Sequence, residues 1–240
     1  MSNLGMLAGR KLLAIFAHPD DESFICGGTL AKYASLGVEI TLISATRGEM
    51  GRRMGNPPYL NRETMPEVRE KELKEACEHL GIRHLTFLDI RDKTVEFTAF
   101  EALVARTGRF IEEIKPDIVL TFHERFGGHP DHCAIGRAAT EAWRRFGTPR
   151  SSLYFISYGN ELERPQRFGY EREHIVRIDV RDHLRAKLAA FRAHRCQTEI
   201  DEWVWGADEA ALAKFGKHEY FMAGDVKKPL AVRDDLFQQD

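Results

Sequence analysis

Two short motifs carry the residue types from which a hydrolytic metal site is built. His18-Pro19-Asp20-Asp21-Glu22 follows a compact apolar run, and His129-Pro130-Asp131-His132 lies near the middle of the chain. Histidine and carboxylate are ordinary ligands of a divalent transition metal such as zinc. In the first motif Pro19 stiffens the turn, and the adjacent carboxylates point in different directions. One can then bind metal while the other faces a substrate. Taken singly, each motif also reads as a helix start whose acids sit at the positive end of the helix. Taken together they offer three or more ligands. Three protein ligands with one position left for water is the catalytic zinc pattern, whereas structural sites are closed and cysteine-rich. A metal so placed lowers the pKa of water and polarises a carbonyl. A free carboxylate beside it takes the proton, and a protonated histidine stabilises an oxyanion. That set suits hydrolysis of an amide or ester. No GxSxG elbow is present to support a serine hydrolase. The spacing alone does not divide the roles: His129 and His132 can trade, as can Asp20 and Asp21.

The elements that must position these residues alternate. Lys11–Ala17 reads as a strand, Phe24–Leu36 as a helix stopped by Gly37, and Val38–Ala45 as a second strand. A polar loop, Thr46–Met65, precedes a helix from Pro66 to about His79, closed by Gly81. His84–Leu88, Asp117–Phe122, Leu153–Tyr158 and His174–Ile178 read as strands, and Ala99–Ile114, Pro130–Phe146 and Asp182–His194 as helices. Near-continuous apolar strands alternating with helices predict an α/β fold: a Rossmann-like, mostly parallel sheet with helices on both faces. In such sheets ligands bind at the carboxyl ends of the strands. Those ends carry His18, Asp20, Asp21 and Glu22, then Thr46–Glu49, then Asp89, Arg91 and Asp92, then His123, His129, Asp131 and His132. Ionisable residues from four separate loops therefore share one rim. No GxGxxG follows the first strand, which counts against a dinucleotide.

The 240 residues predict a single domain, 1–240, with a core over about 11–200, a C-terminal elaboration after about residue 195 and a mobile tail at 226–240. With 35 basic and 37 acidic residues the net charge is −2, so no global basic field holds nucleic acid by its phosphates. The longest apolar runs are strand-sized, so no membrane span is expected. The short N-terminal run leads straight into a histidine and acids, which is not a signal-peptide pattern. Four cysteines without a CxxC pair fit a reducing cytoplasm.

Ala17–Glu22 (AHPDDE) after an N-terminal strand, with His129–His132 (HPDH) near mid-chain, resembles the PIG-L/LmbE-like zinc-dependent N-acetylglucosaminyl deacetylases. Thr46–Gly51 (TRGEMG) and Arg69–Cys77 (RxxELxxAC) extend the resemblance to roughly residues 11–200. RGEMGRRMGNPP with Arg91–Phe97 (RDKTVEF) is similar to the bacillithiol-biosynthesis branch, which hydrolyses N-acetylglucosaminyl malate to glucosaminyl malate and acetate. The resemblance implies His18, Asp21 and His132 as ligands of one Zn2+ per chain; Fe2+ or Co2+ accepts the same ligands. It implies Asp20 as general base and His129 as oxyanion donor, with Asp131 holding the His129 imidazole. The partner is then a small-molecule amino sugar. The family often assembles into homo-oligomers.

Arg52 and Arg53, on the loop after the second strand, are candidates for binding substrate carboxylates, because guanidinium and carboxylate pair through a bidentate fork. As alternatives they are solvated loop charges. Glu49 and Asn56 are candidates for sugar hydroxyls. His194, His123 and the Trp203/Trp205 pair have either a supporting or a packing role, the tryptophans lying in a strand-like WVW pattern. Two further readings are a deacetylase of another acyl substrate (a chitooligosaccharide, an antibiotic precursor or a thiol conjugate) and a non-catalytic sugar-binding protein. Asp20 argues against the second, since binding needs no base.

Overall fold

The computed structural model describes residues 7–158, 165–225 and 234–237. Its seven-stranded sheet has the order β3-β2-β1-β4-β5-β7-β6. The strands are β1 (Lys11–Phe16), β2 (Glu39–Ser44), β3 (His84–Phe87), β4 (Ile118–Thr121), β5 (Ser152–Ile156), β6 (Ile175–Asp179) and β7 (His218–Ala223). The first five run parallel, as expected from their unbroken apolar character, and Leu12–Phe16 are buried at the centre. Neither the seventh strand nor its placement was expected. It slots between β5 and β6 and runs antiparallel to both.

The crossovers are helices: α1 (Asp21–Ser35), α2 (Met65–Leu80), α3 (Phe100–Ile114) and α4 (Pro130–Phe146). Four more follow: α5 (Leu184–Ala193), α6 (Arg195–Thr198), α7 (Glu202–Trp205) and α8 (Asp208–Leu212). Helices α1, α2 and α5 pack together on one face of the sheet, and α3 with α4 on the other. Strand order reverses between β1 and β4, and this switch point is where an open α/β sheet leaves a crevice. Both histidine motifs sit there, on the turns entering α1 and α4. Pro130 takes the first position of α4, where its missing N–H costs nothing, and His129 caps the helix by accepting the Asp131 N–H.

Helix α1 is two helices joined at a break. Cys26 leaves helical geometry at φ −132° and ψ 19°. Past the break, the N–H groups of Gly28 and Thr29 donate to the two carboxylate oxygens of Glu219 on β7, at 3.0 and 2.7 Å. Glu219 thus caps an internal helix start. Its charge is balanced by Lys187 of α5 at 2.6 Å, and both side chains are buried. Gly28 is required here, since a Cβ would lie 2.7 Å from the Val180 side chain.

The WVW segment is a short helix, α7, and not a strand: Trp203 packs against Phe191 and Phe215. The mobile tail expected at 226–240 falls largely outside the described residues. Within it, 234–237 is docked, with Leu236 and Phe237 buried and the Leu236 N–H donating to the Tyr33 hydroxyl at 2.8 Å. Among the described residues no helix is long and apolar enough to cross a membrane.

Removing one partner of a buried ion pair strands the other, at a cost of about 3–5 kcal/mol. Glu219→Ala is expected to lower stability by that amount, seen as a lower denaturant midpoint. An unchanged midpoint would mean that the Glu219 cap does not hold α1.

Candidate active site

The turn after β1 is built around Asp20, whose φ of 95° is left-handed and uncommon for a residue with a side chain. That conformation turns the chain sharply, so that Asp21 opens α1 while the His18 N–H donates back to Asp21 Oδ2 at 2.8 Å. His18 Nδ1 then lies 3.1 Å from His132 Nε2. Asp21 faces both rings, with Oδ1 3.4 Å from His132 Nε2 and Oδ2 3.8 Å from His18 Nδ1. The other nitrogen of His132, Nδ1, meets the Gly127 carbonyl at 2.8 Å and the Tyr158 hydroxyl at 3.1 Å. Phe122 stacks on the His132 ring, with centroids 3.9 Å apart.

Tetrahedral zinc with bonds near 2.0–2.2 Å places its ligand atoms about 3.3–3.5 Å from one another. The three separations between His18, His132 and Asp21 bracket that value, so these residues fit a divalent ion. His129 is also close: with His18 and His132 it forms a set whose donor nitrogens lie within 4.8 Å of one another. It differs in what its ring is bonded to. The Asp131 N–H donates to His129 Nδ1 at 3.2 Å, which leaves the hydrogen on Nε2.

The far nitrogen of His18, Nε2, is shared by two carboxylates, Asp92 at 3.1 Å and Asp131 at 3.3 Å. Burial by itself would strip the proton from His18. The hydrogen bonds of Asp131 and Asp92 and the charge of Asp21 outweigh it and raise the pKa to about 10. Three carboxylates thus call for positive charge at this imidazole, which a metal ion would supply in place of the proton. Asp92 meets the same conflict from the acid side. Burial pushes it up, but the His18 contact and the Met50 N–H, 2.9 Å away, bring it down to about 2.

Asp20 lies beside this cluster. Burial raises its carboxyl, Arg69 pulls it back and Asp21 raises it again, leaving a pKa of about 6. Arg69 is buried in α2 and donates to Asp20 Oδ2 at 2.8 Å, to the Gly48 carbonyl at 2.8 Å and to the Pro19 carbonyl. Gly48 makes room for it: at φ +66° a Cβ would lie 1.9 Å from the Arg69 guanidinium.

The expected Asp131–His129 side-chain pairing is not formed. The Asp131 carboxylate turns away from the ring and accepts the Lys93 N–H at 2.7 Å, the Glu96 N–H at 3.3 Å and His18 Nε2. As the N-cap, His129 takes the Asp131 backbone instead. Glu49 reaches the same rim. Its Oε1 accepts the Asp92 N–H at 3.0 Å, and its buried Oε2 has no partner among the described residues. Arg53 is engaged by Asp201 and the Gln197 carbonyl, whereas Arg52 is exposed. Asn56 donates its N–H to Glu199 at 3.1 Å. His123 is held in the loop after β4, accepting the Arg125 N–H at 3.0 Å, and burial keeps its pKa down at about 4.

Sequence reasoning placed Asp92 on the rim without a role and did not find Arg69 or Tyr158 as neighbours of the site. For Asp92 the available signal was its position just past a strand end. Arg69 heads the RxxELxxAC match, which marked its helix but not its partner, and Tyr158 carried no signal; their partners lie 49 and 26 residues away along the chain.

Comparison with known proteins agrees with this geometry. A family model described as PIG-L, GlcNAc-PI de-N-acetylase, matches residues 13–143. A Bacillus cereus protein described as a probable N-acetyl-alpha-D-glucosaminyl L-malate deacetylase 2 is 39% identical over 191 residues, covering 79% of this chain and 84% of that protein. An Actinosynnema mirum 1D-myo-inositol 2-acetamido-2-deoxy-alpha-D-glucopyranoside deacetylase is 31% identical, covering 87% of each. Among solved structures, an N,N'-diacetylchitobiose deacetylase from Pyrococcus horikoshii superposes with a TM-score of 0.68 at 25% identity, over 89% of this chain and 83% of that one. The family match spans both histidine motifs and more than half of the chain, and the relatives align over most of its length. The chain belongs to the PIG-L family of de-N-acetylases.

Proposed function

We propose that this protein is a metal-dependent deacetylase that removes the N-acetyl group from an N-acetylglucosamine conjugate. N-acetylglucosaminyl malate, in bacillithiol biosynthesis, is the substrate we infer from the Bacillus relatives. One observation carries the reading of the chemistry. His18 Nδ1, His132 Nε2 and the Asp21 carboxylate converge at ligand spacing, with the Asp20 carboxylate alongside at a pKa of about 6.

In this reading His18, Asp21 and His132 hold zinc. When bound, the metal supplies a Lewis acid that activates water near neutral pH and polarises the amide carbonyl. Asp92 and Asp131 grip His18 Nε2 and so aim Nδ1 inward, while the Gly127 carbonyl does the same for His132. Asp20, held by Arg69 through Oδ2 and poised near neutrality, takes the proton from the attacking water. The hydrogen left on His129 Nε2 is the donor for the developing oxyanion. The proton held by Asp20 then goes to the departing amine, so that water and amide become acetate and the free amino sugar. The unpartnered Glu49 Oε2 suits a sugar hydroxyl, and exposed Arg52 suits a carboxylate of malate. Arg53 is less free for that role, because Asp201 already occupies it. All four cysteines are unpaired, which supports a cytoplasmic setting.

The reading is tested by acetate release from N-acetylglucosaminyl malate, with N-acetylglucosamine in parallel. Asp20→Ala is expected to keep its zinc and lose about two to three orders of magnitude in kcat. Near-normal turnover in that variant would remove Asp20 as the base. His18→Ala, Asp21→Ala and His132→Ala are each expected to lose zinc, and a strong chelator should abolish activity that added zinc restores. Equal turnover of both substrates would keep the chemistry and sink the malate assignment.

Asp92→Asn should weaken zinc binding by about 10- to 100-fold, measured by competition with a chromophoric chelator. Unchanged affinity would show that Asp92 does not orient His18.

A further inference from the structure

Asp20 cannot hold its conformation unaided. A residue with a side chain at φ 95° is strained and keeps that shape only when its surroundings impose it. Arg69 restrains the carboxylate. A separate set of contacts restrains the backbone. The Asp20 N–H donates to Glu22 Oε2 at 3.1 Å. The other oxygen of Glu22, Oε1, accepts the Ser23 hydroxyl and His194 Nε2, the latter at 2.7 Å. Glu22 is 1% exposed and His194 0%, and 172 residues separate them in the chain.

His194 occupies the junction of α5 and α6, well past the residues that match the family model. Packing alone does not explain a histidine there. Its ring touches Phe24 edge-on, with centroids 6.1 Å apart, and its Nδ1 is buried with no partner among the described residues. A buried ring nitrogen without a partner is unfavourable, and an apolar side chain would avoid it. What the imidazole contributes is the bond to Glu22.

We propose that Glu22 and His194 are positioning residues for Asp20. His194 fixes the Glu22 carboxylate, Glu22 holds the Asp20 N–H, and the strained turn then presents the Asp20 carboxylate where water is to be deprotonated. Neither residue touches substrate. The inference rests on the reading of Asp20 as the base.

The test compares His194→Asn with His194→Gln in the zinc-loaded enzyme. The amide nitrogen of glutamine stands close to the position of Nε2 and can donate to Glu22, whereas that of asparagine falls short. Zinc affinity and thermal midpoint are measured for each, and both substitutions are repeated in an Asp20→Asn background. His194→Asn should lower kcat by about 10- to 100-fold with KM and zinc affinity unchanged. His194→Gln should recover most of that loss. In the Asp20→Asn background neither substitution should lower kcat further, because the pathway to Asp20 is already cut.

Equal damage by asparagine and glutamine would overturn the proposal. So would a loss that adds fully to that of Asp20→Asn, or one that appears in zinc affinity instead of kcat. Failure of the underlying reading looks different. Asp20→Asn alone would then retain turnover, whatever the substitutions at His194 do.

Discussion

At the C-terminal edge of the sheet, three carboxylates crowd one imidazole. Asp21, Asp92 and Asp131 all face His18, and all three are buried. Charges of one sign gathered in a poorly solvated site are tolerated only if each is hydrogen-bonded and something positive lies between them. The chain meets the first need with backbone. The N–H groups of His18, Met50, Lys93 and Glu96 donate to these acids from the loops after β1, β2 and β3. For the second need there are two solutions, a proton on His18 or a metal ion. The ligand atoms of His18, Asp92 and Asp131 stand close enough together to hold a cation.

The scaffold serves that requirement. The two histidine motifs come from β1 and β4, neighbours at the point where strand order reverses, so their loops open to either side of one crevice. Of the acids that grip His18, Asp131 lies in the second motif itself, and Asp92 comes from the loop after β3. The antiparallel strand β7 acts from further away. Its Glu219 caps the internal break in α1 and sets apart the first turn of that helix, which carries Asp21 and Glu22, from the part that packs against the sheet. Segment 194–201 closes the structure from the other side. His194 reaches Glu22, Cys196 and Gln197 bind the loop after β2 through the Gly55 N–H and the Arg53 carbonyl, and Asp201 takes the Arg53 side chain. Segment 194–201 thus ties the turn after β1 to the loop after β2.

The PIG-L relatives and this geometry bear on different questions. Similarity identifies the family and the class of substrates on which its members act. The distances supply what the proposed chemistry asks for: a grip on each histidine, the Asp20 carboxylate buried beside Arg69, and a ring hydrogen left on His129 Nε2.

Much of this was legible in the residues. Hydrophobic periodicity is local, so the five parallel strands and four crossover helices stood out, and Pro130–Phe146 was bounded to the residue. The two motifs were legible because a helix start after a strand end places its first residues at the rim of any parallel sheet. The antiparallel strand was not, because His218–Ala223 finds its place only through pairing with strands distant in sequence. Docking of 234–237 also depends on a distant partner, the Tyr33 hydroxyl. The Asp131 carboxylate belongs with these cases. The family resemblance implied a pair with His129, but the N-cap geometry of α4 gave His129 the backbone N–H and left the carboxylate to His18 and the 93–96 turn. The sequence by itself determined which residue types stand at which strand ends. Only the tertiary structure decided which atoms face one another, because strand order and helix caps bring together groups whose separation along the chain says nothing about their separation in space.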